Sequence, residues 1–231
     1  MDRSQKELER FTFKKIVADV LYVLNLERGM GYTLKRLFIA PGSTIREYLF
    51  EDRTRLTRPF QLILLLVAIA TFLTFFILPG TDQLLTDLHQ TTGWDNFTPA
   101  VQKSLEWFTM NMKQYFNIFF LGGIPFISLA TFLVFRKSKY YYAEHLIINT
   151  YLSSPQTLFF ILYVPFLNAS GFMAMFQILP VVLYTIFAYR QVFNQTLWGA
   201  TWKSLISFVL YQFIFGLALF VLFGLLVIIN S

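Results

Sequence analysis

Of the 231 residues, 56% are hydrophobic and 14% are charged, and the mean hydropathy of +0.55 lies far outside the range of soluble domains. The absence of cysteine excludes disulfides, thiol nucleophiles and iron–sulfur clusters, and two histidines cannot by themselves build a multi-histidine metal centre. Because so much apolar surface requires hydrocarbon around it, we predict an all-α, multi-pass transmembrane helical bundle. The net charge of +6 is informative through the positions of the charged residues along the chain.

The first 58 residues are too polar to cross a membrane but show helical periodicity. Apolar side chains recur at helical spacing from Phe13 to Leu24, opposite a charged face. A second helical stretch is predicted around Leu34–Phe38, and Thr44 and Glu47 have the spacing of a capping box for a third helix. We therefore predict that residues 1–58 form amphipathic helices at the cytoplasmic membrane interface.

Four arginines in this region are candidates for contact with anionic lipid. Arg46, Arg53, Arg55 and Arg58 precede the first apolar stretch, and each cation near an anionic headgroup contributes about 1 kcal/mol. The alternative is that these cations only orient and anchor the chain.

Five stretches within residues 59–231 are long and apolar enough to cross a bilayer as helices. They are residues 60–78, 115–135, 146–167, 172–189 and 204–229. Between the first two, the segment 79–114 contains Thr98 followed by Pro99, which predicts an N-cap and the first residue of a helix.

The distribution of cations predicts the orientation of this transmembrane domain. Twelve Lys or Arg residues precede the first span, and further cations follow the second and fourth spans. The segment 79–114 has two lysines beside several acidic residues. By the positive-inside rule, the N-terminus is cytoplasmic, the segment 79–114 is extracytoplasmic and the C-terminus is extracytoplasmic.

The third predicted span carries a polar stripe. Tyr141, His145, Asn149, Ser153 and Gln156 fall within roughly 120° of one another on a helix. Polar groups in a span face protein or water, so the stripe is predicted to be interior. It is either a hydrophilic groove for a substrate, a lipid headgroup or a proton, or an interface of interhelical hydrogen bonds.

Glu144 belongs to the same segment but lies about 100° from His145. Adjacent helical positions do not face each other, so the two side chains are not expected to act on one atom. Glu144 is instead predicted to meet Lys137 or an N-terminal arginine.

Three glutamines are predicted to lie in one layer. Counting about 1.5 Å per residue from the cytoplasmic ends places Gln156, Gln177 and Gln212 at depths of roughly 12 to 18 Å. Side-chain amides at one depth can satisfy one another. No Asp, Glu, Lys or Arg lies deep in any span, which disfavours an ion-coupled transporter.

Two blocks resemble a known family. The first is "YTLKRLFIAPGSTIREYLFEDRTRLTRPF" (32–60), and the second is "YYAEHLIIN" (141–149) with Tyr142, Glu144 and His145. Both are similar to the bacterial membrane proteins of domain-of-unknown-function family 3667. The first block carries the family's pattern at Pro41, Gly42, Ile45, Arg46, Tyr48, Arg53 and Pro59.

This resemblance implies a bacterial inner-membrane protein with helical spans after a cytoplasmic interfacial region, and it implies no activity. Many family members begin with a cysteine-rich segment like a zinc ribbon, which this sequence lacks. Any role of that segment is therefore absent here or is supplied by a partner.

Together these features favour a non-enzymatic integral membrane protein that acts as a scaffold, an accessory subunit or a lipid-interacting element. The alternative is a small transporter or channel that uses the polar stripe. A third hypothesis, a membrane-embedded enzyme centred on His145 and Glu144, has the least support because no catalytic motif is present. We expect anionic membrane lipids and a membrane protein as partners, and no nucleic acid, metal or cofactor.

Overall fold

The computed structural model describes residues 29–77, 86, 89–90, 93–166 and 171–230, with the side chains of residues 112–114, 116, 171–177 and 230 left undescribed. Within these residues the chain forms eight helices and no strand, which confirms the all-α fold class. The amphipathic helix predicted from Phe13 to Leu24, the residues 78–85 after the first span and the connection 167–170 lie outside the described residues.

The helices are numbered in chain order. They are α1 (Met30–Ile39), α2 (Pro41–Arg46), α3 (Pro59–Ile77), α4 (Pro99–Gln114), α5 (Phe116–Val134), α6 (Tyr142–Tyr163), α7 (Gly171–Val192) and α8 (Leu197–Asn230). A π-helical turn, Glu47–Glu51, continues α2, and a 3₁₀ turn, Trp94–Asn96, precedes α4.

Three helices are long and apolar enough to cross a membrane. They contain the runs Pro59–Ile77, Asn117–Val134 and Leu197–Ile229, of 19, 18 and 33 residues. This confirms several membrane-type helices but not the predicted count of five spans. The helices α6 and α7 have 22 residues each. The buried polar residues of α6 lower its hydropathy, and the apolar run described in α7 is limited to Ile178–Val192.

The helix α6 occupies the centre of the bundle. It packs against α3, α5 and α7, whereas α8 packs on the outside against α4, α5 and α7. Ile148, Tyr151 and Leu152 of α6 are almost completely buried. In contrast, large apolar side chains of α8 such as Phe213 and Phe220 are exposed. The surface of α8 is therefore suited to contact with hydrocarbon.

Residues 29–58 are called the cap. They pack over one end of the bundle and extend along it as far as Phe159 of α6, which contacts Phe38. Leu37 and Ile45 of the cap have no exposed surface and share one apolar cluster with Tyr151 and Tyr189. The starts of α3, α6 and α8 and the ends of α5 and α7 meet at this end, which is called the capped end. The described part of the predicted interfacial region is thus bound to the helices.

The predicted start of the second helix of the cap was wrong. The second helix of the cap begins at Pro41, and Thr44 lies inside it, where its Oγ1 donates to Ala40 O at 2.8 Å instead of capping. Proline has the φ of a first helical turn, so the helix starts earlier than the capping-box spacing indicates. The helix α6 starts at Tyr142, ahead of the apolar stretch that begins at residue 146. The start predicted at Pro99 was confirmed.

Candidate functional site

A network of buried polar groups joins α5, α6 and α7 near the capped end. Thr131 Oγ1 lies 3.1 Å from His145 Nδ1 and accepts from Asn149 Nδ2 at 2.8 Å. Tyr189 Oη donates to Asn149 Oδ1 at 3.2 Å. All four residues are buried. Each contact links two different helices, so the network fixes their register.

The network assigns the tautomer of His145. The hydroxyl of Thr131 donates to Ser128 O at 3.0 Å, so its oxygen must accept from both His145 and Asn149. His145 therefore carries its proton on Nδ1. Its Nε2 has no hydrogen-bond partner within the described residues, and the ring stacks on Phe193 with centroids 5.3 Å apart. The rings of Phe132 and Tyr140 also pack against the imidazole.

Glu144 serves the helix start and is directed away from His145. Its carboxylate accepts from the backbone N–H of Tyr141 at 2.7 Å. This contact satisfies one of the unpaired N–H groups at the start of α6. It takes the place of the ion pair that we expected with Lys137 or an N-terminal arginine. The structure therefore does not bring Glu144 and His145 together.

The polar stripe of α6 is interior over most of its length. His145, Asn149 and Ser153 are buried and Gln156 is partly buried, whereas Tyr141 is 77% exposed at the capped end. Tyr141 precedes the first helical residue and is therefore not held on the helix face that the helical spacing assumes.

Three residues of the stripe line a cavity of about 340 Å³ between α5, α6, α7 and α8, called the inner cavity. Asn149, Ser153 and Gln156 contribute from α6, opposite Thr185 and Ser204 of α7 and α8. Tyr211 lies farther along α8, and Phe119, Phe120 and Phe215 form the part farthest from the capped end. The inner cavity thus has a polar part and an aromatic part.

The three glutamines do not form the expected layer of paired amides in the described residues. Gln156 Nε2 donates to Thr185 Oγ1 at 3.0 Å. Gln212 is exposed, because the preceding residue, Tyr211, is the one that faces the inner cavity. The side chain of Gln177 lies outside the described residues. The partner of Gln156 is therefore the hydroxyl of Thr185 on α7, where we had expected the amide of another glutamine.

The four candidate lipid-contacting arginines are all exposed at the capped end. Arg46 Nη1 donates to Gln191 O at 2.9 Å, which ties the cap to the last turn of α7. Arg53 donates to the backbone oxygens of Tyr48 and Leu49. Each of these bonds uses only part of a guanidinium, which has about five N–H donors.

Arg55 and Asp52 approach each other on the surface of the cap, with Arg55 Nε 3.5 Å from Asp52 Oδ2. Hydrogen bonds from the Thr54 hydroxyl and backbone N–H lower the pKa of Asp52 below its ordinary value. This surface pair is solvated and contributes little stability.

A second ion pair holds the cap together. Arg36 of α1 and Glu47 of the π-helical turn form a direct, partly buried ion pair, and the hydrogen bond from Arg36 to Glu47 raises the pKa of Arg36. The pair joins two segments on either side of α2, so it fixes their angle.

Buried tyrosines of the bundle hold the cap from below. Tyr151 Oη donates to Thr57 O at 2.7 Å, and Tyr184 Oη donates to Leu37 O at 3.2 Å. Sequence reasoning missed these residues. The available signal was a tyrosine hydroxyl inside an otherwise apolar stretch, which must find a partner when it is buried.

Among the residues that the structure describes, no group of three His, Cys, Asp or Glu side chains is placed to hold a metal ion.

The model of a family described as "Protein of unknown function (DUF3667)" matches residues 27–72. The resemblance to domain-of-unknown-function family 3667 is therefore confirmed over residues 27–72. Comparison with curated proteins and with solved structures finds no significant match. The matched stretch covers the cap and most of α3, and the second resembling block, 141–149, lies outside it.

The family's matched residues include those that attach the cap to α7. A Cβ at Gly42 would lie 2.6 Å from Gln191 O, so only glycine allows this approach without a shift of the backbone. Pro41 and Ile45 are buried beside it, and Arg46 bonds to the same residue, Gln191. Pro41, Gly42, Ile45 and Arg46, all within the matched residues, therefore take part in docking the cap on α7.

Proposed function

We propose that this chain is a non-enzymatic protein of the bacterial inner membrane that crosses the bilayer five times and binds anionic lipid through its capped end. It acts there as a lipid-interacting element or as a scaffold for another membrane protein. The observation that carries the proposal is the attachment of the arginine-bearing cap to α6 and α7.

The length and packing of α6 and α7 support five crossings. Each has 22 residues, or about 33 Å at 1.5 Å per residue, which matches the hydrocarbon thickness of about 30 Å. The helix α6 packs against α3 and α5, and α7 packs against α8, all of which are apolar enough to cross, and Asn149 and Gln156 of α6 bond to neighbouring helices inside the bundle. This count places the N-terminus in the cytoplasm and the C-terminus outside.

The number of crossings is tested by labelling single cysteines in intact cells with an impermeant maleimide. The chain has no cysteine of its own, so Asp95→Cys and Lys139→Cys provide references for the two sides. Ala169→Cys, between α6 and α7, labels like Asp95→Cys if both helices cross. Labelling like Lys139→Cys would reduce the count to three.

Lipid binding follows from cations held at fixed positions. The cap packs rigidly on the bundle, so Arg46, Arg53, Arg55 and Arg58 all lie at one end without an entropy cost of ordering the segment. Each cation near an anionic leaflet contributes about 1 kcal/mol. Neutral residues at these positions would give no preference for anionic over zwitterionic lipid.

The test uses the full-length protein in detergent with added phosphatidylglycerol or phosphatidylcholine. Arg55→Gln with Arg58→Gln removes two exposed cations from the cap, and Lys103→Gln with Lys113→Gln removes two cations near the opposite end. Phosphatidylglycerol should raise the melting temperature of the wild type and of the lysine variant more than that of the arginine variant. Equal stabilisation of both variants would refute the lipid role of the cap.

A small transporter or channel is the second candidate, and the inner cavity beside the polar stripe favours it. A transport pathway must admit water from at least one side. A Ser153→Cys variant should then react with a small water-soluble thiol reagent. If Ser153→Cys does not react in the folded protein, the transporter or channel hypothesis is rejected.

A further inference from the structure

We propose that the inner cavity is a binding site for a neutral amphiphile, a single-chain lipid whose head carries an uncharged hydroxyl or amide group. This goes beyond the proposed function, which depends on the arginines of the cap and not on the inner cavity. The inference stands on the size of the cavity, the hydrogen-bonding groups of its polar part, the rings of its aromatic part and the charge of its lining.

The inner cavity is partly open and has room for a small ligand. Its volume is about 340 Å³. Ligand sites range from about 300 to 1,000 Å³. The volume therefore suits one small ligand or a single alkyl chain.

The polar part of the cavity has hydrogen-bonding capacity that the protein does not use. Ser204 is 8% exposed, and its Oγ has no hydrogen-bond partner within the described residues. Gln156 donates to Thr185 with Nε2, and a side-chain amide can make about four hydrogen bonds. Because a buried hydroxyl without a partner is costly, a ligand that bonds to Ser204 gains affinity.

The aromatic part lies farther from the capped end. Phe215 follows Ser204 by eleven residues on α8, which corresponds to about 16 Å along the helix axis. Phe119 and Phe120 of α5 lie at the same end. An apolar chain against these rings and a polar head at Ser204 give the ligand a defined direction.

The lining also determines the charge of the ligand. No charged side chain of the described residues lines the inner cavity. A charged head at this depth would lack a counter-ion and would lose its hydration, which is expensive in hydrocarbon. The site therefore selects a neutral head over a charged head on the same chain.

A chain-matched series tests this selection on the full-length protein in phosphatidylcholine nanodiscs. A photoreactive diazirine analogue of dodecanol is cross-linked, and the labelled peptides are mapped by mass spectrometry. Dodecanol, dodecanesulfonate and dodecyltrimethylammonium are the competitors. We expect label on the cavity-lining residues of α5 and α8, and competition by dodecanol at least about tenfold stronger than by the charged compounds.

Three outcomes would overturn the inference. They are equal competition by all three compounds, label confined to lipid-facing residues such as Phe213, and no saturable label, which would mean that the cavity holds only water. Since the wild type alone gives these results, the test does not depend on the folding of a variant.

Two matched variants locate the site. Gln156→Leu removes a polar group from the cavity and should weaken competition by dodecanol roughly fivefold, whereas Gln212→Leu makes the same change on the exposed surface and should have no effect. Equal effects of the two variants would contradict the assignment. The double variant Arg55→Gln/Arg58→Gln should keep full labelling even if anionic lipid no longer stabilises it, which separates this proposal from the proposed function.

Discussion

Gly42 and Gln191, which are 149 positions apart in the chain, are in direct contact at the capped end. The backbone N–H of Gly42 donates to Gln191 Oε1 at 3.3 Å, and a Cβ at residue 42 would lie 2.6 Å from Gln191 O. The cap can approach α7 this closely only because residue 42 has no side chain.

Gly42→Ala should therefore destabilise the protein. The added methyl group overlaps a backbone carbonyl, and overpacking of this kind costs about 1–3 kcal/mol. The measurement is the free energy of unfolding in detergent, followed by loss of helical circular dichroism with a denaturant.

Gly31→Ala is the control for this change. Gly31 lies inside α1, and a Cβ there meets nothing within 4 Å. The helical preference of alanine should stabilise the protein by about 0.5–1 kcal/mol. If both variants shift stability in the same direction, the contact with Gln191 is not important.

Thr131→Val should loosen the junction of α5, α6 and α7. Valine has nearly the same shape but leaves the Nδ1–H of His145 and one N–H of Asn149 without an acceptor. Unsatisfied buried donors cost about 1–3 kcal/mol. Thermal unfolding in detergent measures the loss.

The matched substitution is Thr74→Val in α3. Thr74 is also buried, but its hydroxyl donates only to Ala70 O of its own helix. We expect a change within about 0.5 kcal/mol. A loss at residue 74 as large as that at residue 131 would show that the network contributes nothing specific.

Tyr151→Phe should weaken the attachment of the cap. The ring remains, but Thr57 O loses the hydrogen bond from Tyr151 Oη in a fully buried position, at a cost of about 1 kcal/mol or more. Faster proteolysis between residues 52 and 58 would report the loosening directly. Tyr141→Phe, at a residue that is 77% exposed, should leave the rate unchanged.

Gln156→Leu should lower the melting temperature by a small amount. The variant loses one interhelical hydrogen bond to Thr185, and such bonds contribute about 0.6 kcal/mol on average. Gln212→Leu, on the exposed surface of α8, should not lower it. An unchanged melting temperature for Gln156→Leu would mean that the bond to Thr185 does not hold α6 and α7 together.

Much of the helical architecture could be predicted from the sequence, because length and hydropathy are local properties. The apolar runs at 60–78, 115–135 and 204–229 correspond to α3, α5 and α8, and Thr98 with Pro99 marks the start of α4. The polar face of α6 followed from the spacing of His145, Asn149 and Ser153. These features depend on residues within a few turns of one another.

The sequence by itself thus determined an all-helical membrane-type protein with a cationic first segment, since hydrophobic periodicity and charge are written in consecutive residues. The partners of each polar group were decided by the tertiary structure: Gln156 meets Thr185 and not Gln212, Glu144 caps its own helix, and Tyr151 holds Thr57. Helix rotation and packing choose among many polar groups at similar depths, and that choice depends on long-range contacts that no local pattern encodes.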